Sequence, residues 1–138
     1  MAGRDHPRCK ATDVNKLAEA LGVPPAEIAR FTSLARFQRG SPRKVKLLVD
    51  LVRGKPVDVA MNLLTFTTKR AAVDVKKALS AALADAEQAN ADVTALVVAD
   101  SRVDDGGMMK RFRSKDRGRA HKILKRMSNI TIALEERR

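Results

Sequence analysis

Nine of the seventeen residues from Lys110 to Arg126, KRFRSKDRGRAHKILKR, are Lys or Arg, and the nine cations less Asp116 leave +8 of the chain's net +12. Side chains of this kind do electrostatic rather than covalent chemistry. Arg offers a planar fork that matches paired phosphate oxygens, and Lys a compact point charge. Packed this densely they repel one another unless a polyanion lies against them, and nucleic acid is the obvious one. Lys110, Arg111, Arg113, Lys115, Arg117, Arg119, Lys122, Lys125 and Arg126 are therefore candidate phosphate contacts, with His121 a further nucleic-acid contact among them. Arg43, Lys44 and Lys46 fall in the first turn of a predicted helix, where cations oppose the helix dipole. Local stability does not explain them and a bound phosphate would. Arg36 and Arg39, just upstream, belong to the same set. Met108 and Met109 either pack locally on Phe112 or touch a partner.

No constellation for catalysis accompanies these cations. Asp104-Asp105-Gly106-Gly107 has no third ligand group beside it and reads as a turn or bulge. His6, Cys9 and His121 are too few and too scattered for zinc, which takes about four ligands. Ser41, Ser101, Ser114 and Ser128 have no His/Asp ensemble, and neither GxxxxGK[ST] nor GxGxxG occurs. No enzyme, cofactor, metal or small-molecule substrate is expected. There is no apolar run of about 18 residues for a membrane span, and the polar start MAGRDHPRCKATD lacks a signal-peptide core. A single Cys fits a reducing compartment. A pI near 10.6 predicts salt-sensitive binding to phosphate backbones. With no Trp, no Tyr and four Phe, an aromatic platform for single strands is not expected. The partner expected is a folded or double-stranded nucleic acid gripped by charge and shape.

The elements that must carry these cations follow from periodicity. Residues 1–33 hold five Lys/Arg and four Asp/Glu, and residues 34–138 hold 23 and 12, so the chain divides near Ser33. In the first part Thr12 or Asp13 caps a short helix through Leu21, with Leu17, Ala18 and Leu21 on one face and Gly22 ending it. Pro24-Pro25 opens a second helix, Ala26 to Phe31. The pair resembles half of a helix-turn-helix, but a small helical appendage is the plainer reading. Leu34 to Gln38 is a possible edge strand. Ser41-Pro42 starts a helix through Val52 with Val45, Leu48, Val49 and Val52 as its apolar stripe, and Gly54 caps it. Pro56 begins a helix burying Val59, Ala60, Leu63 and Leu64. Thr67 or Thr68 caps a longer one through Ala89, with Ala72, Val75, Leu79, Ala82, Leu83 and Ala86 inward. Val93 to Val98 and Asn129 to Glu135 are strands that pair antiparallel, the second with Ile130, Ile132 and Leu134 on one face and Thr131 and Ala133 on the other. Continued outward, each arm of the hairpin between them would reach ~30 Å at about 3.3 Å per residue. Such an arm is marginal alone in water and would need its partner to become ordered.

SPRKVKLLVDLVRGK (Ser41–Lys55), AVDVKKALSAALADAEQ (Ala72–Gln88) and KRFRSKDRGRAHKILKRMSNITIAL (Lys110–Leu134), in that order, closely resemble the bacterial large-subunit ribosomal protein twenty-two family over residues 34–138. The resemblance implies an α+β domain with a small three-stranded antiparallel sheet, three helices and a long protruding basic β-hairpin, here about residues 99–127. Residues 1–33 are then an N-terminal helical extension outside the family pattern. It also implies binding to large-subunit (23S) ribosomal RNA, support of early subunit assembly, and a hairpin that lines the polypeptide exit tunnel. Partners would be that RNA, neighbouring large-subunit proteins and the nascent polypeptide, in a ribosome-bound, bacterial cytoplasmic setting. Arg43, Lys44, Arg53 and Lys55 match the family's globular RNA face. Met108, Met109, Lys110, Arg111, Phe112 and Arg113 match the tunnel-facing tip, and Gly118, Arg119, Lys122, Lys125 and Arg126 the returning arm. The chain departs from the family pattern at Asp105-Gly106-Gly107, Ser114-Lys115-Asp116 and Met127-Ser128-Asn129. Two other classes compete: a DNA-binding protein using residues 1–33, which are almost neutral, and an enzyme, which has no constellation.

Overall fold

The strand Ala120–Glu136 (β3) is the spine of the molecule, because its alternation gives it a face to bury and both of its edges find partners. The computed structural model describes residues 11–137; His6 and Cys9 lie outside them. Phe31–Arg39 (β1) pairs antiparallel with one edge of β3 and Leu96–Ser114 (β2) with the other, giving the order β1-β3-β2. Ile130, Ile132 and Leu134 are fully buried, and Thr131 and Ala133 on the opposite face are buried as well. The fold is α+β, as expected. β1 is an edge strand but begins at Phe31 rather than Leu34, so position 33 lies within it.

Three helices cover the sheet: Pro42–Val52 (α3), Val57–Phe66 (α4) and Ala71–Gln88 (α5). α3 buries Val45, Leu48, Val49 and Val52, the stripe expected from spacing. Ser41 sits at its N-cap but makes no side-chain capping bond. α5 buries Ala72, Val75, Ala78, Leu79, Ala82 and Ala86, and its four alanines let the helix lie close to the sheet. Each large side chain so buried contributes roughly 1.5–3 kcal/mol.

Several local expectations are corrected. α4 turns Val57, Ala60 and Leu64 inward, leaving Val59 exposed and Leu63 half-buried, because Pro56 takes the N-cap and the helix starts at Val57. Neither Thr67 nor Thr68 caps α5; Arg70 occupies that position, and Thr67 instead closes α4, its hydroxyl donating to the Leu63 carbonyl at 2.6 Å. Near the N-terminus Ala11–Leu21 (α1) ends at Leu21 as expected, but Thr12 and Asp13 lie inside the helix rather than capping it; only Ala18 of the expected face is buried, and Leu17 and Leu21 are exposed. The second helix shrinks to Pro25–Ile28 (α2) because Phe31 joins the sheet. Four residues are too short for a groove-reading helix, which removes the helix-turn-helix reading.

The hairpin is anchored where α3 ends. Gly54 adopts φ +73°, a left-handed conformation that costs Gly little. Its N–H donates to the Val98 carbonyl at 2.8 Å, and Val98 N–H donates to the Lys55 carbonyl at 3.0 Å. Ala99 is an extra residue in β2, between the pairs Val98↔Leu134 and Asp100↔Ala133. This bulge changes the inward phase from Leu96 and Val98 to Ser101, which is fully buried and donates its hydroxyl to the Val49 carbonyl at 3.0 Å.

Candidate nucleic-acid interface

Beyond the pair Asp105↔Ser128 the hairpin leaves the core. Asp104-Asp105-Gly106-Gly107 forms a bulge rather than a turn, with Gly106 and Gly107 set against Met127 alone. Gly107 takes φ +90°, and its N–H donates to Asp105 Oδ1 at 3.1 Å. Space is tight at Gly106: a Cβ there would lie 3.1 Å from Asn129 Oδ1 and 3.2 Å from two backbone carbons of β3, so the neighbouring strand would have to give by a few tenths of an ångström.

From this bulge the strands run in register from Met108↔Arg126 to Ser114↔Ala120. The register explains how so many cations share one ribbon. Met108 faces Arg126, Met109 faces Lys125, and Lys110 faces Leu124; Arg111 faces Ile123, and Phe112 faces Lys122. No two Lys or Arg are directly opposed, and like charges in opposed positions would repel. Opposed pairs share a face and successive pairs alternate faces, so both faces of the ribbon carry cations checkered with apolar groups. Phe112 is 79% exposed, and it and Met108 add apolar surface between the charges. Arg113 faces His121, the one pair of basic side chains.

The chain reverses at Lys115–Arg119, through a short 3-10 turn at Asp116–Gly118 with left-handed Arg117 and Gly118. This differs from the tip matched by resemblance: Met108 to Arg113 lie on the outgoing arm, short of the reversal. Among the described residues, the one ion pair in the basic run joins Arg119 to Asp116 at 3.8 Å with both side chains 71% exposed, a geometry that contributes little. The other cations of the arm, and Arg36, Arg39, Arg43, Lys44 and Lys46, form none among the described residues.

On the body, the starts of α3 and α5 meet at an open cleft of about 540 Å³ edged by Arg39, Lys44, Lys69 and Arg70. Lys69 and Arg70 are additions to the cations expected from the sequence. The signal that singled out Arg43 and Lys44, cations at a helix start, applies to them equally.

Arg53 behaves differently from its neighbours. Its guanidinium reaches from the end of α3 to β2, where Nε donates to Ser101 Oγ at 3.3 Å and a terminal nitrogen donates to the Ser101 carbonyl; it also pairs with Asp50 at 3.2 Å. Its forked donors are thus committed to holding the hairpin base. Arg53→Ala is expected to lower stability by about 1–3 kcal/mol in denaturant melts, and Arg53→Lys to recover little, because a single ammonium nitrogen lacks the planar fork whose two nitrogens reach the two Ser101 oxygens.

The described residues hold no cluster of three His, Cys, Asp or Glu that could ligate a metal, and no described helix is long and apolar enough to cross a membrane. Residues 33–135 match the family described as Ribosomal protein L22p/L17e. The chain is 46% identical over 106 residues, 77% of its length and 93% of the relative's, to the large ribosomal subunit protein uL22 of Desulfosudis oleivorans. It is 50% identical over 100 residues, 72% of its length and 88% of the relative's, to the large ribosomal subunit protein uL22 of Magnetococcus marinus. The family so matched is a structural, non-enzymatic one. The chain belongs to the ribosomal protein L22p/L17e family and is a structural constituent of the large ribosomal subunit.

Proposed function

We propose that the chain binds large-subunit (23S) ribosomal RNA, acts early in subunit assembly, and lines the polypeptide exit tunnel with its β2–β3 arm. The observation that carries this reading is the arm itself, with unpaired cations on both faces and none directly opposed. A ribbon charged on both sides suits insertion between RNA segments better than docking on one surface. Each phosphate neutralised releases condensed counterions, so about eight contacts would give a steep salt slope. The contacts proposed are Lys110, Arg111, Arg113, Lys115, Arg117, Arg119, His121, Lys122, Lys125 and Arg126 on the arm. Arg36, Arg39, Arg43, Lys44, Lys46 and Lys55 serve on the body, with Lys69 and Arg70 added. Arg53 acts by holding the hairpin base as well as by charge.

In this reading residues 34–138 are the ribosomal domain, and residues 1–33 add an extension whose strand end, from Phe31, contributes to the sheet. Met108, Met109 and Phe112 on the outgoing arm face RNA or the tunnel space, where a nascent polypeptide would pass.

The test is co-sedimentation of a tagged copy on a sucrose gradient, with crosslinking to map bound RNA. Migration with the large subunit and crosslinks from Lys110–Arg126 to tunnel-wall RNA are expected. A copy that stays off ribosomes, or crosslinks there through the body alone, would overturn the assignment of the arm.

A further inference from the structure

Phe37 is held in a conformation that its side chain disfavours. In β1 the pairs Ala35↔Ile130 and Gln38↔Ser128 leave Arg36 and Phe37 together opposite Asn129. Phe37 takes φ +55°, in the left-handed region where a bulky aromatic is an outlier. At the bulge Asn129 Oδ1 accepts the Phe37 N–H at 2.9 Å. Gly or Asn would occupy such a site with less strain. Nor does the ring repay the strain inside the protein, for Phe37 is 61% exposed and outside the hydrophobic core. Strained backbone and bulges that re-aim a side chain gather at binding sites. Arg36 and Arg39 flank Phe37 in the sequence, both exposed and without an ion pair among the described residues, and Arg39 edges the cationic cleft at the starts of α3 and α5.

We propose that Phe37 is a base-stacking residue: its ring takes the face of one unpaired RNA base, while Arg36 and Arg39 hold the adjoining phosphates. Every base presents a π-face, so this contact adds affinity with little dependence on sequence or salt. It rests on the reading that the chain binds ribosomal RNA and names a contact of a different kind from the charged arm. The few aromatics of the chain make no platform, and this single ring supplies one base site. Asn129, in the segment where the chain departs from its family pattern, is the positioning residue that sets the ring's place.

The full chain is titrated with large-subunit ribosomal RNA transcript across a salt series, comparing wild type with Phe37→Ala, Phe37→Gly, Phe37→Leu and Phe37→Trp. The Ala, Gly and Leu variants should each lose about 5- to 100-fold in affinity, the worth of one stacked base. The slope of log affinity against log salt should stay unchanged, since no phosphate contact is lost. Phe37→Trp should bind as wild type or tighter. Phe37→Gly, relieved of strain, should melt no lower than wild type, which separates lost stacking from lost folding. Wild-type affinity in the Ala and Gly variants would overturn the inference while leaving the RNA reading intact, and so would Leu binding as well as Phe or Trp failing to restore binding. If the variants kept their RNA affinity but lost a large-subunit protein, the ring would be a protein contact and the inference would fail. A wild-type chain that does not bind the RNA would overturn the RNA reading first.

Discussion

A chain in which Asp105 is joined to Ser128 through an Asn-Gly turn, with residues 106–127 removed, is expected to keep its fold and lose nearly all affinity for ribosomal RNA. Asp105 and Ser128 are directly opposed across β2 and β3, so a two-residue turn of the type that suits twisted strands closes the shortened hairpin. No residue between 106 and 127 belongs to the buried core, and the melting temperature should shift by only a few degrees. The deletion takes away nine Lys and Arg and one Asp. If about eight of those cations meet phosphates, affinity at physiological salt should fall at least 10³-fold, and the salt slope should flatten by roughly 0.7–0.9 per lost contact. Melting curves, RNA titrations at several salt concentrations and gradient profiles of assembled subunits read the three effects separately. Unchanged assembly and an unchanged salt slope would remove the arm from the RNA contact altogether.

Leu79→Ala is expected to have the largest effect on stability of any single core truncation in α5. Leu79 is fully buried where α5 lies against the sheet, and its neighbours on that face are mostly alanine and valine, too short to fill the space. A Leu→Ala change at such a site costs about 2–5 kcal/mol, from lost transfer energy and the cavity that remains. That is a large share of the roughly 5–15 kcal/mol that holds a domain together. A chain of this size should melt about 10 °C lower. On the proposed reading, RNA would bind the folded chain and not the unfolded one, so saturating RNA should restore much of the loss by mass action. A melting temperature within 2–3 °C of wild type in the free chain would mean that the α5–sheet contact is not the keystone the burial pattern indicates.

Much of this was legible in the residues. The 3.6-residue stripe of α3 is a strong signal because the helix buries one well-defined face, and the two-residue alternation of β3 is strong because its large aliphatic side chains share one face, although the opposite face is buried too. The basic run was legible as a hairpin because β-prone apolar segments bound it. Boundaries were less so. Pro24-Pro25 signals a helix start but nothing local signals a stop before Phe31; its pairing with Leu134, far along the chain, puts Phe31 in the sheet. Thr67 and Thr68 are good capping types, yet one closes the preceding helix instead. The bulges at Ala99 and at Arg36-Phe37 carry no composition signal, since each exists only through its register with β3. At the site, Arg53 matched a family motif for an RNA face, and only the structure places its guanidinium on Ser101.

The checkered register of the arm has a consequence for the chain before any partner is met. A two-stranded ribbon has two open edges, each a row of unpaired N–H and C=O groups onto which another strand could add. Met108, Phe112, Ile123 and Leu124 are exposed on this ribbon and would otherwise favour such self-addition. Because a cation faces each of them across the ribbon, a second copy approaching edge-on brings its own +8 against the first. Freshly made chains therefore repel along the surface where they are stickiest, and the arms stay separate until a polyanion cancels their charge.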